Sequence, residues 1–298
     1  MKIICSQKYS VQLAGHVFVP SKFVAAAQLL VERGAITQGD IIEPPSPTRE
    51  DLLLAHSPGW VDRLLSLSFT QEDEQLAELH ITPEVVLAHS LHCGGSIRAC
   101  EMALEGGLGL HCGGGSHHAF HDHGAGFCLL NDIAVGINKM RALGRIKKAA
   151  VVDLDAHQGD GTASIFSWDK DVFTFSMHGR NIFPEVKGKS SLDVELETGV
   201  YGEGYMEALS ANLPAVLDGH KPELVVYLAG ADVYMNDRLG GMRLTKDDIS
   251  ARDAYVAGEC KKRSIPLAAV LGGGYAQTPD DTAAIHATTL FRAAEIYS

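Results

Sequence analysis

Six cysteines are present, at positions 5, 93, 100, 112, 128 and 260, and no two stand at C-x-x-C spacing. That absence excludes a zinc finger, a zinc ribbon and a thioredoxin-type redox pair. A chain of 298 residues has no need of disulfide staples either. The cysteines therefore read as reduced thiols, mostly buried, in a cytoplasmic protein. No apolar run approaches the ~20 residues of a membrane span. The opening "MKIICSQKYS" lacks the apolar length and the small-residue cleavage site of a signal peptide, and reads instead as a first strand. There is no internal repeat and no low-complexity linker. The nearest break, "EPPSPTRED" (43–51), is too short to separate domains. No block of like charge occurs, and the net charge of −12 has no acidic tail. An acidic surface of that kind argues against direct nucleic-acid binding.

What is present is an alternation. Apolar runs occur at "LGLH" (108–111), "AAVVDLD" (149–155), "VFTFSM" (172–177), "ELVVYLAG" (223–230) and "IPLAAVLGG" (265–273). Segments of helical pattern lie near 129–142, 160–167, 201–218, 245–263 and 278–296. Strands that are apolar along their whole length are buried on both faces, so they belong to a parallel sheet covered by helices. Upstream, Thr48 and Asp51 form the T-x-x-D pattern of a capping box. Residues 82–107 read as one long helix, with Pro83 in its first turn and Gly106-Gly107 at its end. The expected fold class is α/β: one three-layer αβα sandwich over residues 1–298, with a mostly parallel central sheet.

Such sheets bind ligands at the carboxyl ends of their strands. Polar residues cluster there in four places: "HHAFHDH", "DLDAHQGD", "GAD" and "GGGY". Side chains alternate in a strand, so Asp153, Asp155 and His157 are expected on one side. There Asp155 and His157 can reach one metal ion, and Asp232, ending "LVVYLAGAD", is the candidate third ligand. Two carboxylates and an imidazole leave a fourth position for water, as in catalytic zinc sites. The spacing does not exclude a two-metal site. "GGGSHHAFHDHGAGFCLLND" (113–132) places His117, His118, His121 and His123 within seven residues. On spacing alone the His117-His118 pair could be metal ligands or proton carriers.

Taken in order, "HHAFHDHGAGFCLLND", "DLDAHQGDGT", "LAGAD", "DRLGG" and "GGGYAQ" resemble the histone deacetylase family of the arginase–deacetylase fold. The resemblance runs from about residue 14 to 292 and includes "LLLAHSPGWVDRLLS" upstream. "DLDAHQG" and "NDRLGG" look most like the short class IV members and their prokaryotic relatives. The resemblance implies zinc, or ferrous iron, on Asp155, His157 and Asp232. It implies that His117 and His118 carry protons rather than metal, paired with Asp153 and Asp160 respectively. Tyr275 would donate to the substrate carbonyl. Gly126, Phe127, Phe183 and Leu239 would line an acyl-lysine channel. Asp153, Asp155, His157, Ser176 and the Met177 carbonyl match a structural site for potassium or sodium. Asp160 departs from many class IV relatives, which carry Asn there. His121 and His123 match no family role and read as exposed loop histidines.

The chemistry accounts for these residue types. Amide hydrolysis needs an activated water, a polarised carbonyl and a proton for the leaving amine. A metal with two carboxylate ligands acidifies water less than one held by histidines, so a neighbouring base is useful. A carboxylate behind a histidine fixes its tautomer and raises its basicity. The reading is a zinc-dependent deacylase of acyl-lysine or a similar acylated amine. The alternatives are an acetylpolyamine deacetylase, which an acidic residue at the channel mouth would favour, and a non-catalytic acyl-lysine binder.

Overall fold

The computed structural model describes residues 1–298. Its strands are β1 Ile3–Ile4, β2 Ile41–Ile42, β3 Leu108–Leu110, β4 Ala149–Asp153, β5 Val172–Gly179, β6 Leu192–Leu196, β7 Leu224–Leu228 and β8 Leu267–Val270. Its helices are α1 Ser21–Glu32, α2 Arg49–Leu52, α3 Pro58–Leu65, α4 Gln71–Ala77, α5 Pro83–Gly106, α6 Asp132–Ala142, α7 Asp160–Ile165, α8 Gly202–His220, α9 Lys246–Lys262 and α10 Pro279–Tyr297. Strands β3 to β8 form one sheet in the order β3-β8-β7-β4-β5-β6, and every pairing in it is parallel.

Successive residues of the central strands serve opposite faces. Ala150 and Val152 of β4, with Val225 and Tyr227 of β7, pack into a core shared with residues of α1, α8, α9 and α10. Ala149, Val151, Leu224 and Val226 pack into a second core with α3, α5 and α6. This is the αβα sandwich that uninterrupted apolar strands require. Helix α5 begins as its sequence indicates, with the Thr82 hydroxyl accepting from the Val85 N–H. It ends at Gly107, whose φ of 87° only glycine adopts without strain. It also lies directly on the sheet, because a Cβ at Gly109 of β3 would fall 1.9 Å from the Ala99 carbonyl oxygen. The Thr48–Asp51 capping box forms as well, over a helix of four residues.

Several elements differ from expectation. The opening strand exists, but β1 pairs with β2 in a separate parallel ribbon and meets the main sheet at an Ile4–His111 bridge, with the Cys112 N–H donating to the Ile4 carbonyl at 2.8 Å. Strand β6 was not foreseen. It is the sheet's edge, half-exposed and charged at Asp193 and Glu195, so it carries no apolar run to read. Strand β4 stops at Asp153 rather than at Asp155. The Asp155 N–H turns back to the Asp153 carboxylate at 3.1 Å, and the His157 N–H to that of Asp155 at 3.0 Å. A bend, not strand alternation, therefore gathers these side chains. Asp232 likewise lies four residues past the end of β7.

From β4 the chain builds outward through β5 and β6, then returns to β7 on the other side. The gap between the carboxyl ends of β4 and β7 is therefore a point where strand order reverses, and it leaves room for a ligand. The loops after β3, β4, β7 and β8 converge there.

Helix α3 braces one of these loops. Trp60 is fully buried, and its indole N–H donates to the Leu129 carbonyl at 2.8 Å, just before α6. Trp60→Ala should lower unfolding free energy by ~3–5 kcal/mol, read from urea denaturation monitored by circular dichroism. A loss under ~1 kcal/mol would mean that α3 lies outside the cooperative core.

Candidate active site

Asp155, His157 and Asp232 each present one ligand atom within 4.8 Å of the others, and all three are buried. The His157 Nδ1 lies 3.0 Å from Asp155 Oδ1 and 3.0 Å from Asp232 Oδ2. The remaining carboxylate oxygens are held by backbone. The Gly273 N–H donates to Asp155 Oδ2 and the Ala156 N–H to Asp232 Oδ1, each at 2.8 Å. Glycine at 273 is a steric requirement, since a Cβ there would lie 2.0 Å from Asp232 Oδ2 and 2.5 Å from Asp155 Oδ2.

The electrostatics ask for a cation at this point. Burial would lower the His157 imidazole, but its bonds to Asp155 and Asp232 lift it to about 10. Burial and the charge of Asp155 push Asp232 up to about 7. Burial would raise Asp155 too, yet His117 and His157 hold it well below the usual carboxylate range. Two buried carboxylates this close share a proton or gather positive charge between them. A divalent ion supplies it with oxygen and nitrogen ligands that suit zinc or iron, so the donor set fits a catalytic metal.

His117 and His118 stand beside this group, with ring centroids 4.1 Å apart. The His117 Nδ1 is 2.8 Å from Asp153 Oδ2, and the His118 Nδ1 is 2.7 Å from Asp160 Oδ1. Both pairs are buried. Each carboxylate accepts from an Nδ1–H, which in a neutral ring leaves Nε2 as the free nitrogen. Their protonation differs. Burial would lower His117, but the charges of Asp153 and Asp155 raise it to about 9. Burial and the neighbouring His117 charge lower His118 to about 4, against the pull of Asp160. Asp153 is supplied by the end of β4 and Asp160 by the first position of α7.

Tyr275 follows the Gly272–Gly274 turn after β8. Its N–H donates to Asp237 Oδ2 at 2.6 Å, and its ring meets His157 edge-on at 6.2 Å. Burial and the charges of Asp155 and Asp232 raise the phenol well above its ordinary value, so it stays a neutral donor.

A cavity of about 370 Å³ opens over these groups. Gly126, Phe127, Phe183 and Leu239 line it together with His118, His157 and Tyr275. Phe183 meets the His118 ring edge-on at 4.8 Å. Val17 and Glu78 also line it, which sequence reasoning missed. Asp237 and Lys22 were missed too. The buried Lys22 ammonium donates to the Gly272 carbonyl at 2.8 Å and the Gly274 carbonyl at 3.3 Å, behind the Tyr275 ring. Burial lowers it to about 8, against the charges of Asp232, Asp155 and Asp237. Nothing in the local sequence ties position 22 to position 272.

Of the residues matched to a monovalent-cation site, Ser176 lies opposite Asp153 in the β4–β5 register and Met177 follows it, both buried. The Ser176 hydroxyl is 2.8 Å from His178 Nδ1. His121 is exposed and His123 half-exposed. The first bonds the Ala55 carbonyl at 2.8 Å, and the second stacks on Phe120 at 4.7 Å.

Comparison with known proteins supplies what geometry cannot. The family model described as Histone deacetylase domain matches residues 16–291. The chain belongs to the histone deacetylase family. An uncharacterized protein of Picosynechococcus is 38% identical over 282 residues, which are 95% of this chain and 94% of that protein. Histone deacetylase 2 of Arabidopsis thaliana is 30% identical, over 92% of this chain and 74% of its own. A histone deacetylase-like amidohydrolase of Pseudomonas aeruginosa is 29% identical, over 89% and 73%. Among solved structures, an HDAC homolog complexed with SAHA superposes with a TM-score of 0.84 at 25% identity, covering 98% of this chain and 84% of that one. The protein is thus a hydrolase acting on amides, and its fold is that of the histone deacetylases. No helix is long and apolar enough to cross a membrane.

Because Gly273 is wedged against both carboxylates, Gly273→Ala should push them apart. The expected outcome is a folded protein that retains roughly a tenth or less of the divalent metal bound by wild type after dialysis, a loss typical of disturbed ligand support. Elemental analysis beside a circular dichroism spectrum checks it, and full metal retention would show that the pocket does not need this close approach.

Proposed function

We propose that residues 1–298 form one catalytic domain, a zinc-dependent deacylase that removes acetyl or longer acyl groups from lysine side chains in a protein or peptide. The observation that carries this reading is the joining of three elements in one buried place: the Asp155–His157–Asp232 group, two carboxylate-backed histidines and Tyr275, all beneath one cavity of about 370 Å³. Ferrous iron would suit the same ligands. Potassium or sodium beneath the metal, on Asp153, Asp155, His157, Ser176 and the Met177 carbonyl, belongs to the same reading. All six cysteines are buried free thiols, in keeping with a cytoplasmic setting.

A metal held by Asp155, His157 and Asp232 would polarise the acyl carbonyl and lower the pKa of a water beside it. The chain's own residues then divide the proton work. His118, neutral and tethered to Asp160, takes the proton from the attacking water at Nε2 and returns it to the leaving amine. His117, held by Asp153 and protonated, contributes positive charge as negative charge develops on the carbonyl oxygen. Tyr275 donates its phenolic hydrogen to that oxygen. A neutral donor is well suited here, because it carries no charge to desolvate and binds the developing oxyanion more strongly than the ground-state carbonyl. Phe127 and Phe183 flank the alkyl chain and keep bulk water from it.

The test is activity on an acetyl-lysine peptide with metal content measured alongside. Asp232→Ala should lose most of the metal and nearly all turnover. Tyr275→Phe should keep the metal and lose ~10²–10³ in kcat, with a smaller change in KM. A Tyr275→Phe enzyme that keeps more than about a third of kcat would exclude the tyrosine as oxyanion donor, the expected loss being ~10²-fold.

One observation favours a second reading. Glu78 lines the cavity and is exposed, so a carboxylate stands at the entrance. A cationic acylated amine such as an acetylpolyamine would gain from that charge. Glu78→Gln should then lower kcat/KM for an acetylpolyamine by ~3–10-fold, about 1 kcal/mol of exposed ion pairing, while leaving a neutral acetyl-lysine substrate unchanged. An equal effect on both substrates would remove the support for this reading.

A further inference from the structure

Arg252 lies on α9, remote from every sequence motif that carries the chemistry, yet it is fully buried. Its Nη1 donates to the Leu154 carbonyl at 3.1 Å and to the Gly230 carbonyl at 2.8 Å. Those carbonyls belong to two different chain segments. Leu154 is the residue before Asp155, and Gly230 lies two before Asp232. One nitrogen thus spans the point where strand order reverses, and ties the segment leaving β4 to the segment leaving β7.

The anchor behind it is elaborate for a core arginine. Arg252 Nε donates to Asp253 Oδ1 at 2.9 Å. Nη2 lies 2.8 Å from the same oxygen, outside hydrogen-bond alignment. The Asp253 carboxylate is itself fixed by the Tyr227 hydroxyl of β7 at 2.6 Å and the Thr289 hydroxyl of α10 at 2.5 Å. Burying a guanidinium is expensive, and an apolar residue would fill the same core at lower cost. A planar fork, however, can hold two carbonyls and a carboxylate at set angles, which neither lysine nor an apolar side chain can do. The Gly230 link also bears directly on a ligand: a Cβ on Gly230 would lie 2.5 Å from Asp155 Oδ2, so a shift of Gly230 displaces that carboxylate.

We propose that Arg252, fixed by Asp253, is a positioning residue for the metal ligands: it sets the separation of the Asp155 and Asp232 segments by bridging the Leu154 and Gly230 carbonyls. The inference rests on the ligand set proposed above. Its effect passes through backbone to Asp155 and Asp232, and it touches neither metal nor substrate.

Cobalt(II) tests it, since its visible d–d bands report the geometry of the ligands whether or not the enzyme turns over. The full-length protein is stripped of metal and titrated with cobalt(II) against a chromophoric chelator. Arg252→Met should weaken cobalt binding by ~10-fold or more and shift the d–d bands, as loss of support behind metal ligands does. Arg252→Lys, which keeps charge and donors without the fork, should restore some of the affinity. A folded Arg252→Met protein with wild-type affinity and bands would overturn the proposal. Should that variant not fold, Arg252→Gln takes its place under the same criteria. If neither folds, Arg252 is a core residue only and the proposal also fails. Failure of the ligand set itself looks different: the wild-type protein would take up no cobalt, or Asp232→Ala would bind it as wild type does.

Discussion

Two carboxylates with almost no exposure stand within reach of one imidazole, and the charge they bring must be answered locally. Much of the upper edge of the sheet can be understood as that answer. Backbone N–H groups of Ala156 and Gly273 take the outward oxygens of Asp232 and Asp155. His117 is held positive on one side, and Lys22 and Arg252 bring buried cationic side chains from α1 and α9. Each of these groups would be costly alone in a low-dielectric interior. Together they make a polarised pocket whose donor atoms suit a cation.

The same balance separates the two histidines. They are adjacent in sequence, each backed by one carboxylate, and each buried. Yet His117 is drawn up, by Asp153 and by Asp155 at 3.8 Å from its Nε2, whereas burial and the charged His117 drive His118 down. Two chemically identical side chains are thus shifted in opposite directions by placement alone.

The sequence made the strand-end clusters legible because polar groups gathered at a sheet edge stand in short, type-specific motifs: the tandem histidines, the Asp-x-Asp-x-His run, and the tyrosine after three glycines. It also revealed the sandwich, since strands buried on both faces leave continuous apolar runs. What it did not reveal has a common cause. Strand β6 has no apolar run to read, and helices α3 and α4 span only 8 and 7 residues. Lys22, Asp237 and Arg252 act through backbone carbonyls or amides of residues distant in sequence, and a bond to backbone leaves no mark on the partner's identity. The alternation argument for Asp155 and His157 assumed the wrong geometry, for the chain leaves the sheet at Asp153 and the grouping is made by a bend.

Strand β3 has a single neighbour in the sheet, and that neighbour is β8, the last strand in the chain. The loop bearing the tandem histidines leaves β3, and the Gly273 amide that holds Asp155 lies just beyond β8. Outside the sheet, the end of β3 meets β1, where Ile4 bridges His111; within the sheet its partner is Leu267–Val270. A chain that closes its sheet last, through contacts between its first half and its final strand, depends on a folding step of high contact order. The edge where the candidate site lies thus rests on a pairing between Leu108–Leu110 and Leu267–Val270, segments far apart in sequence.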